Sequence, residues 1–212
     1  MKKGIVTGIA VLLPLIPLTA WLMSSWDEFS AQLGFWFYAL YVPARSFGLL
    51  GFVLMFYQFM LASRIPALDS VFPRAQQLKT HRTLGKIGGV MILCHGLFML
   101  IFDVISLGAI GFTFEKLLGI IALFLLINAV IAAWFIRPLQ LSQKAWRGIH
   151  ILAYLVFPIV FVHAILIGTT VRGYAPVRWL FIVLLAAYVV ILVRRLIANP
   201  FAAKPRPADP QS

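Results

Sequence analysis

Acidic residues are scarce in this chain. Its 212 residues include 6 Asp and Glu together against 18 Lys and Arg, and charged residues of both signs reach only 11%. Soluble domains carry about one quarter charged residues, and one of this length could not hide an apolar fraction of 62%. One cysteine, Cys94, excludes an internal disulfide, so redox compartment cannot be read from cysteine usage. The chain also lacks an internal repeat, a Gly-rich dinucleotide motif following a strand, and any segment long enough for a second domain.

Long apolar runs are what it has instead. Several reach or approach the ~20 residues that cross a bilayer, near 4–24, 43–62, 83–102, 116–136, 149–168 and 177–195. The expected fold is an all-α integral membrane bundle of six transmembrane helices over 1–198. The tail from 199 to 212, "NPFAAKPRPADPQS", is proline-rich and expected to be disordered. The first run follows Lys2 and Lys3 as a signal peptide would. It is long, however, and no small-x-small cleavage site precedes Asp27 and Glu28, so it is read as a span. Pro14 and Pro17 should kink it, which neighbouring helices can compensate.

Counting Lys and Arg by side gives the orientation. With the N-terminus cytoplasmic, the inner side carries 14 and the outer side 4 (Arg45, Lys116, Arg172 and Arg178). Both termini are therefore expected inside, as in a multi-pass protein of a bacterial cytoplasmic membrane. The net charge of +12 then reads as a topology signal and a basic inner face toward anionic lipid or an acidic partner, not as a nucleic-acid signature. Trp21, Trp26, Trp36 and Trp179 near span ends read as an aromatic belt.

Four histidines remain. His81 and His95 bracket the third span, and His150 and His163 lie in the fifth. Ionisable groups within spans are functional candidates by default. Separations of 14 and 13 residues put the members of each pair roughly 20 Å apart along the helix axis. The two spans run the same way, so His81 is level with His150 and His95 with His163. Facing pairs of neutral imidazoles suit the axial positions of a six-coordinate haem iron, whereas zinc would need four ligands at one point. Gly85, Gly88, Gly89 and Gly96 thin the third span where a porphyrin would press on backbone; they could equally be helix-packing glycines. Fourteen positions return within about 40° of the same helix face, but thirteen miss it by about 140°. Pro158 between His150 and His163 is expected to supply part of the correction.

Arg45, level with the outer pair, and Arg82, Lys86 and Arg147, near the inner pair, are candidate partners for haem propionates or else interfacial anchors. Asn128 is expected to make an interhelical hydrogen bond, and Cys94 to be packing.

The run "LASRIPALDSVFPRAQQLKTHRTLGKIGGVMILCH", with "KAWRGIHILAYLVFPIVFVHAILIG", resembles the ferric-reductase-like transmembrane domain of ferric reductases and NADPH oxidases. The resemblance covers roughly 40 to 195. It implies two b-type haems, with His81 and His150 as inner axial ligands and His95 and His163 as outer ones, passing electrons singly across the membrane. The haem subunit of the periplasmic methionine sulfoxide reductase system is a short relative similar in length and layout. Many relatives continue into a flavin- and NAD(P)H-binding region. This chain ends at Ser212, so the expected donor is a separate cytoplasmic flavin reductase or flavoprotein, with a small or protein acceptor outside. The alternative is a quinol-linked di-haem cytochrome b exchanging electrons with the membrane quinone pool. A non-redox transporter would be expected to show inverted repeats or paired broken helices.

Overall fold

The computed structural model describes residues 2–25, 34–135 and 138–197. Trp26, Asp27, Glu28, Arg137 and the tail from 199 to 212 lie outside the described residues. Ten α-helices and one π turn make up the ordered elements among them: α1 (Lys2–Leu12), α2 (Leu15–Ser24), the π turn Phe37–Tyr41, α3 (Val42–Ala62), α4 (Pro66–Asp69), α5 (Arg74–Leu107), α6 (Phe114–Trp134), α7 (Gln143–Ile151), α8 (Ala153–Ile167), α9 (Thr169–Gly173) and α10 (Ala175–Ile197). They form six helical stretches long and apolar enough to cross a membrane, and no strand occurs among the described residues.

Local signals set the helix ends. Gly108 adopts φ 72° and stops α5 in the left-handed conformation that glycine tolerates best. Thr113 caps α6 by accepting from Lys116 N, and Ser142 caps α7 by accepting from Ala145 N. Helix α5 has 34 residues, about 51 Å at ~1.5 Å each, well beyond a hydrocarbon core of ~30 Å. Arg74, Lys79, Arg82 and Lys86 all lie in its first turns, so that end projects. The third span, expected from residue 83, is thus helical from Arg74. Arg74 also donates to Leu61 O and Ala62 O, both at 2.8 Å, closing the end of α3. Beside it the buried Gln77 donates to Asp69 and to Phe72 O.

Two prolines remove a backbone hydrogen bond from a span, and in each case a tyrosine from another helix satisfies the freed carbonyl. Proline has no N–H for the carbonyl four residues before it, and a carbonyl left bare in lipid is costly. Pro14 frees Ala10 O between α1 and α2, and the Tyr57 hydroxyl donates to it at 2.9 Å. Pro158 frees Tyr154 O in α8, and the Tyr188 hydroxyl donates to it at 2.6 Å. The helix of the fifth span is continuous through Pro158. It breaks at Leu152, two residues before the freed carbonyl of Tyr154, dividing α7 from α8 between His150 and His163.

Helix α3 packs broadly on α5, and α6 on α8. Between these pairs lies an aromatic core. Phe52 stacks on Phe181 with centroids 3.9 Å apart and on Phe157 at 4.7 Å. Trp21, expected in an interfacial belt, is only 1% exposed and belongs to this core. Trp36 and Trp179 are exposed.

Candidate functional site

His95 on α5 and His163 on α8 line one cavity of about 180 Å³ between α3, α5, α6 and α8. Their surroundings repeat. His95 Nδ1–H donates to Ala44 O at 2.8 Å, and His163 Nδ1–H donates to Glu115 O at 2.7 Å. A carbonyl can only accept, so each ring carries its proton on Nδ1 and keeps Nε2 as a free lone-pair donor. Each ring also lies against a glycine one helical turn past its acceptor. A Cβ on Gly48 would stand 2.8 Å from His95 Nδ1, and one on Gly119 would stand 2.8 Å from His163 Cε1.

The chain therefore holds a short structural repeat that its sequence does not advertise. In "ARSFG" (44–48) and "EKLLG" (115–119) an acceptor carbonyl is followed by a cation, two further residues and the glycine. Helices α3 and α6 present these stretches to histidines on α5 and α8.

The inner pair is built differently. His81 Nδ1 lies 3.2 Å from Gln58 O. His150 stacks on Trp146 with centroids 5.3 Å apart, and its buried Nδ1 has no hydrogen-bond partner. The structure thus brings His95 and His163 to one cavity, and neither His81 nor His150 lines it.

Among the other singled-out residues, Arg45 lines the outer cavity, donates to Thr169 Oγ1 at 2.8 Å and Thr170 Oγ1 at 2.9 Å, and lies over the Tyr41 ring. Arg147 is exposed and donates to Gln143 O of its own helix. Arg195 bonds the Tyr154 hydroxyl and lies over that ring. Asn128 bonds Phe124 O within α6 rather than a neighbouring helix. Gly85, Gly88, Gly89 and Gly96 face side chains of α3 or α6, namely Gln58, Leu54, Val130 and Leu123. They are chiefly packing glycines, and only Gly96 reaches the cavity. Gly48, Gly119 and the two acceptor carbonyls were missed. The paired cation-x-x-Gly spacing was the one available signal.

Haem, which the resemblance implies, fits the outer site on three counts. The lining is mostly apolar and carries two imidazoles, their Nδ1 protons are fixed by backbone so that Nε2 can ligate, and neighbouring glycines make room for both rings. The inner site offers the same donor set with one tether of the two. Among the described residues no three His, Cys, Asp or Glu side chains group as a multidentate metal site would need.

Among curated proteins, none matches the chain. The profile of the family described as "Ferric reductase like transmembrane component" matches residues 47–161. That is more than half of the chain. It includes His81, His95, His150, Gly48 and Gly119, and stops two residues before His163. The chain belongs to the ferric reductase-like transmembrane family.

Proposed function

We propose that this protein is a di-haem b cytochrome that carries electrons across a bacterial cytoplasmic membrane, with both termini on the cytoplasmic side. His81 and His150 would hold an inner haem, and His95 and His163 an outer one. When bound, haem supplies reversible one-electron chemistry at a six-coordinate iron. The chain's own part is to orient the ligands. The Ala44 and Glu115 carbonyls hold the outer imidazoles in the tautomer that presents Nε2, and the apolar lining keeps water away. Electrons would enter from a cytoplasmic reduced flavin, flavin reductase or flavoprotein and leave to a small or protein acceptor outside. The inner face suits such a donor, since Arg64, Lys79, Lys144, Arg194 and Arg195 are all exposed there and would steer an anionic or acidic partner.

The observation that carries this reading is the duplicated seat of His95 and His163: same ring atom bonded, same glycine spacing, one shared cavity. The test is the visible spectrum of the purified protein before and after dithionite, with a haem count. Low-spin b-type bands and two haems per chain are expected. Protein that stays colourless under haem-replete expression refutes the proposal, and a stable ratio of one removes one site. Rapid, salt-independent reduction by a quinol analogue would favour the quinone-linked alternative.

A further inference from the structure

The outer cavity has a second cation whose place in the fold duplicates that of Arg45. Arg45 follows the acceptor Ala44 and precedes Gly48; Lys116 follows the acceptor Glu115 and precedes Gly119. Both line the cavity. Helices α3 and α6 run in the same direction across the bundle, so each cation stands about 4.5 Å from its glycine toward the same end. Each cation thus holds the same place in its stretch, one residue past the carbonyl that tethers its imidazole.

The two cations differ in what occupies them. Arg45 is held by the neutral hydroxyls of Thr169 and Thr170. Lys116 is ion-paired with Asp103, a residue of α5 that is 8% exposed and lines the same cavity. An apolar slot with two cations at one end suits a flat apolar body that carries two carboxylates side by side on one edge. Haem b has that form, with two propionates on one edge. We propose that Lys116 is the counterpart of Arg45, that the two cations each take one carboxylate of the group seated between His95 and His163, and that Asp103 is the resident carboxylate that holds Lys116 in position. The assignment rests on the haem reading given above and adds to it a specific carboxylate partner.

A merely structural role for the Lys116–Asp103 pair, pinning α5 to α6, predicts the same direction of damage from removing either member. The proposal predicts opposite directions. Removing Lys116 withdraws a positive charge from beside the outer site, which disfavours the reduced form and weakens hold on the carboxylate. Removing the charge of Asp103 leaves Lys116 uncompensated, which does the reverse.

The test uses the full chain in detergent, purified with haem and in haem-depleted form, with hemin titration and the outer midpoint potential as readouts. Lys116→Met should weaken outer hemin binding about tenfold, as loss of a charge-assisted bond does, and should lower the outer potential. Arg45→Met should do likewise, Lys116→Arg should stay near wild type, and Asp103→Asn should raise the potential. Should Lys116→Met fold poorly because Asp103 is left unpaired, the double variant Asp103→Asn/Lys116→Met removes that cost and should still show the weakened binding. Wild-type affinity and potential in Lys116→Met, or a shift of the same sign in Asp103→Asn, overturns the assignment. Wild-type protein that takes up no haem overturns the haem reading itself, and the assignment with it.

Discussion

A methyl group on Gly48 separates the stability of the helix from the geometry of the site. The Cβ of Gly48→Ala would lie 2.8 Å from His95 Nδ1 and 2.9 Å from Cε1. Ordinary contact is about 3.5 Å, so ring and helix must part by about 0.7 Å. Helix α3 has little freedom to yield, since Gly51 one turn on already packs so tightly that a Cβ there would meet Ile92 at 2.7 Å. The ring therefore moves. Its bond to Ala44 O lengthens from 2.8 Å toward the limit of about 3.5 Å, while iron–ligand distances tolerate only about 0.2 Å. Alanine meanwhile favours the helix by about 0.8–1 kcal/mol over glycine. Gly48→Ala is thus expected to fold at least as well as wild type and to lose low-spin outer haem. Gly119→Ala should act alike through His163. Electron paramagnetic resonance and a haem count would read this, with the inner haem as internal control. Both haems retained with unchanged low-spin signals would refute the argument that these glycines seat the ligands.

Three further outcomes follow from the rest of the structure. Tyr57→Phe and Tyr188→Phe should each cost about 1–3 kcal/mol in detergent unfolding, because a proline-freed carbonyl is left bare; Pro14→Ala should rescue Tyr57→Phe but not Tyr188→Phe. Reporter fusions just ahead of Arg74 and after Ser212 should read cytoplasmic and one between Gly108 and Thr113 external, and an external C-terminus would reverse the proposed electron path. Haem reduction by a flavin reductase with NAD(P)H should slow as salt rises and when the exposed Lys79 and Lys144 are replaced by glutamate; rates indifferent to both would remove the basic face as a docking surface.

The sequence by itself determined the six spans and the spacing of the histidines along them. Both are one-dimensional properties. Apolar length decides what can cross a bilayer, and a constant rise per residue converts spacing into depth. For that reason the helices at Phe37–Ala62, Phe114–Trp134 and Ala175–Ile197 fall within a few residues of the apolar runs. What a side chain meets across a helix interface is a different kind of fact. The acceptors of His95 and His163 are backbone carbonyls, which every residue possesses, so no residue type marks them. The glycines that matter sit on the partner helices rather than beside the histidines, where the count of glycines is higher. Whether Trp21 anchors at an interface or fills the core depends on what α2 packs against. The phase of His150 relative to His163 depends on a break at Leu152, which sits away from the proline that frees the carbonyl. Azimuth, partner and repair of broken hydrogen bonds are set by packing between distant segments, and only the tertiary structure decided them.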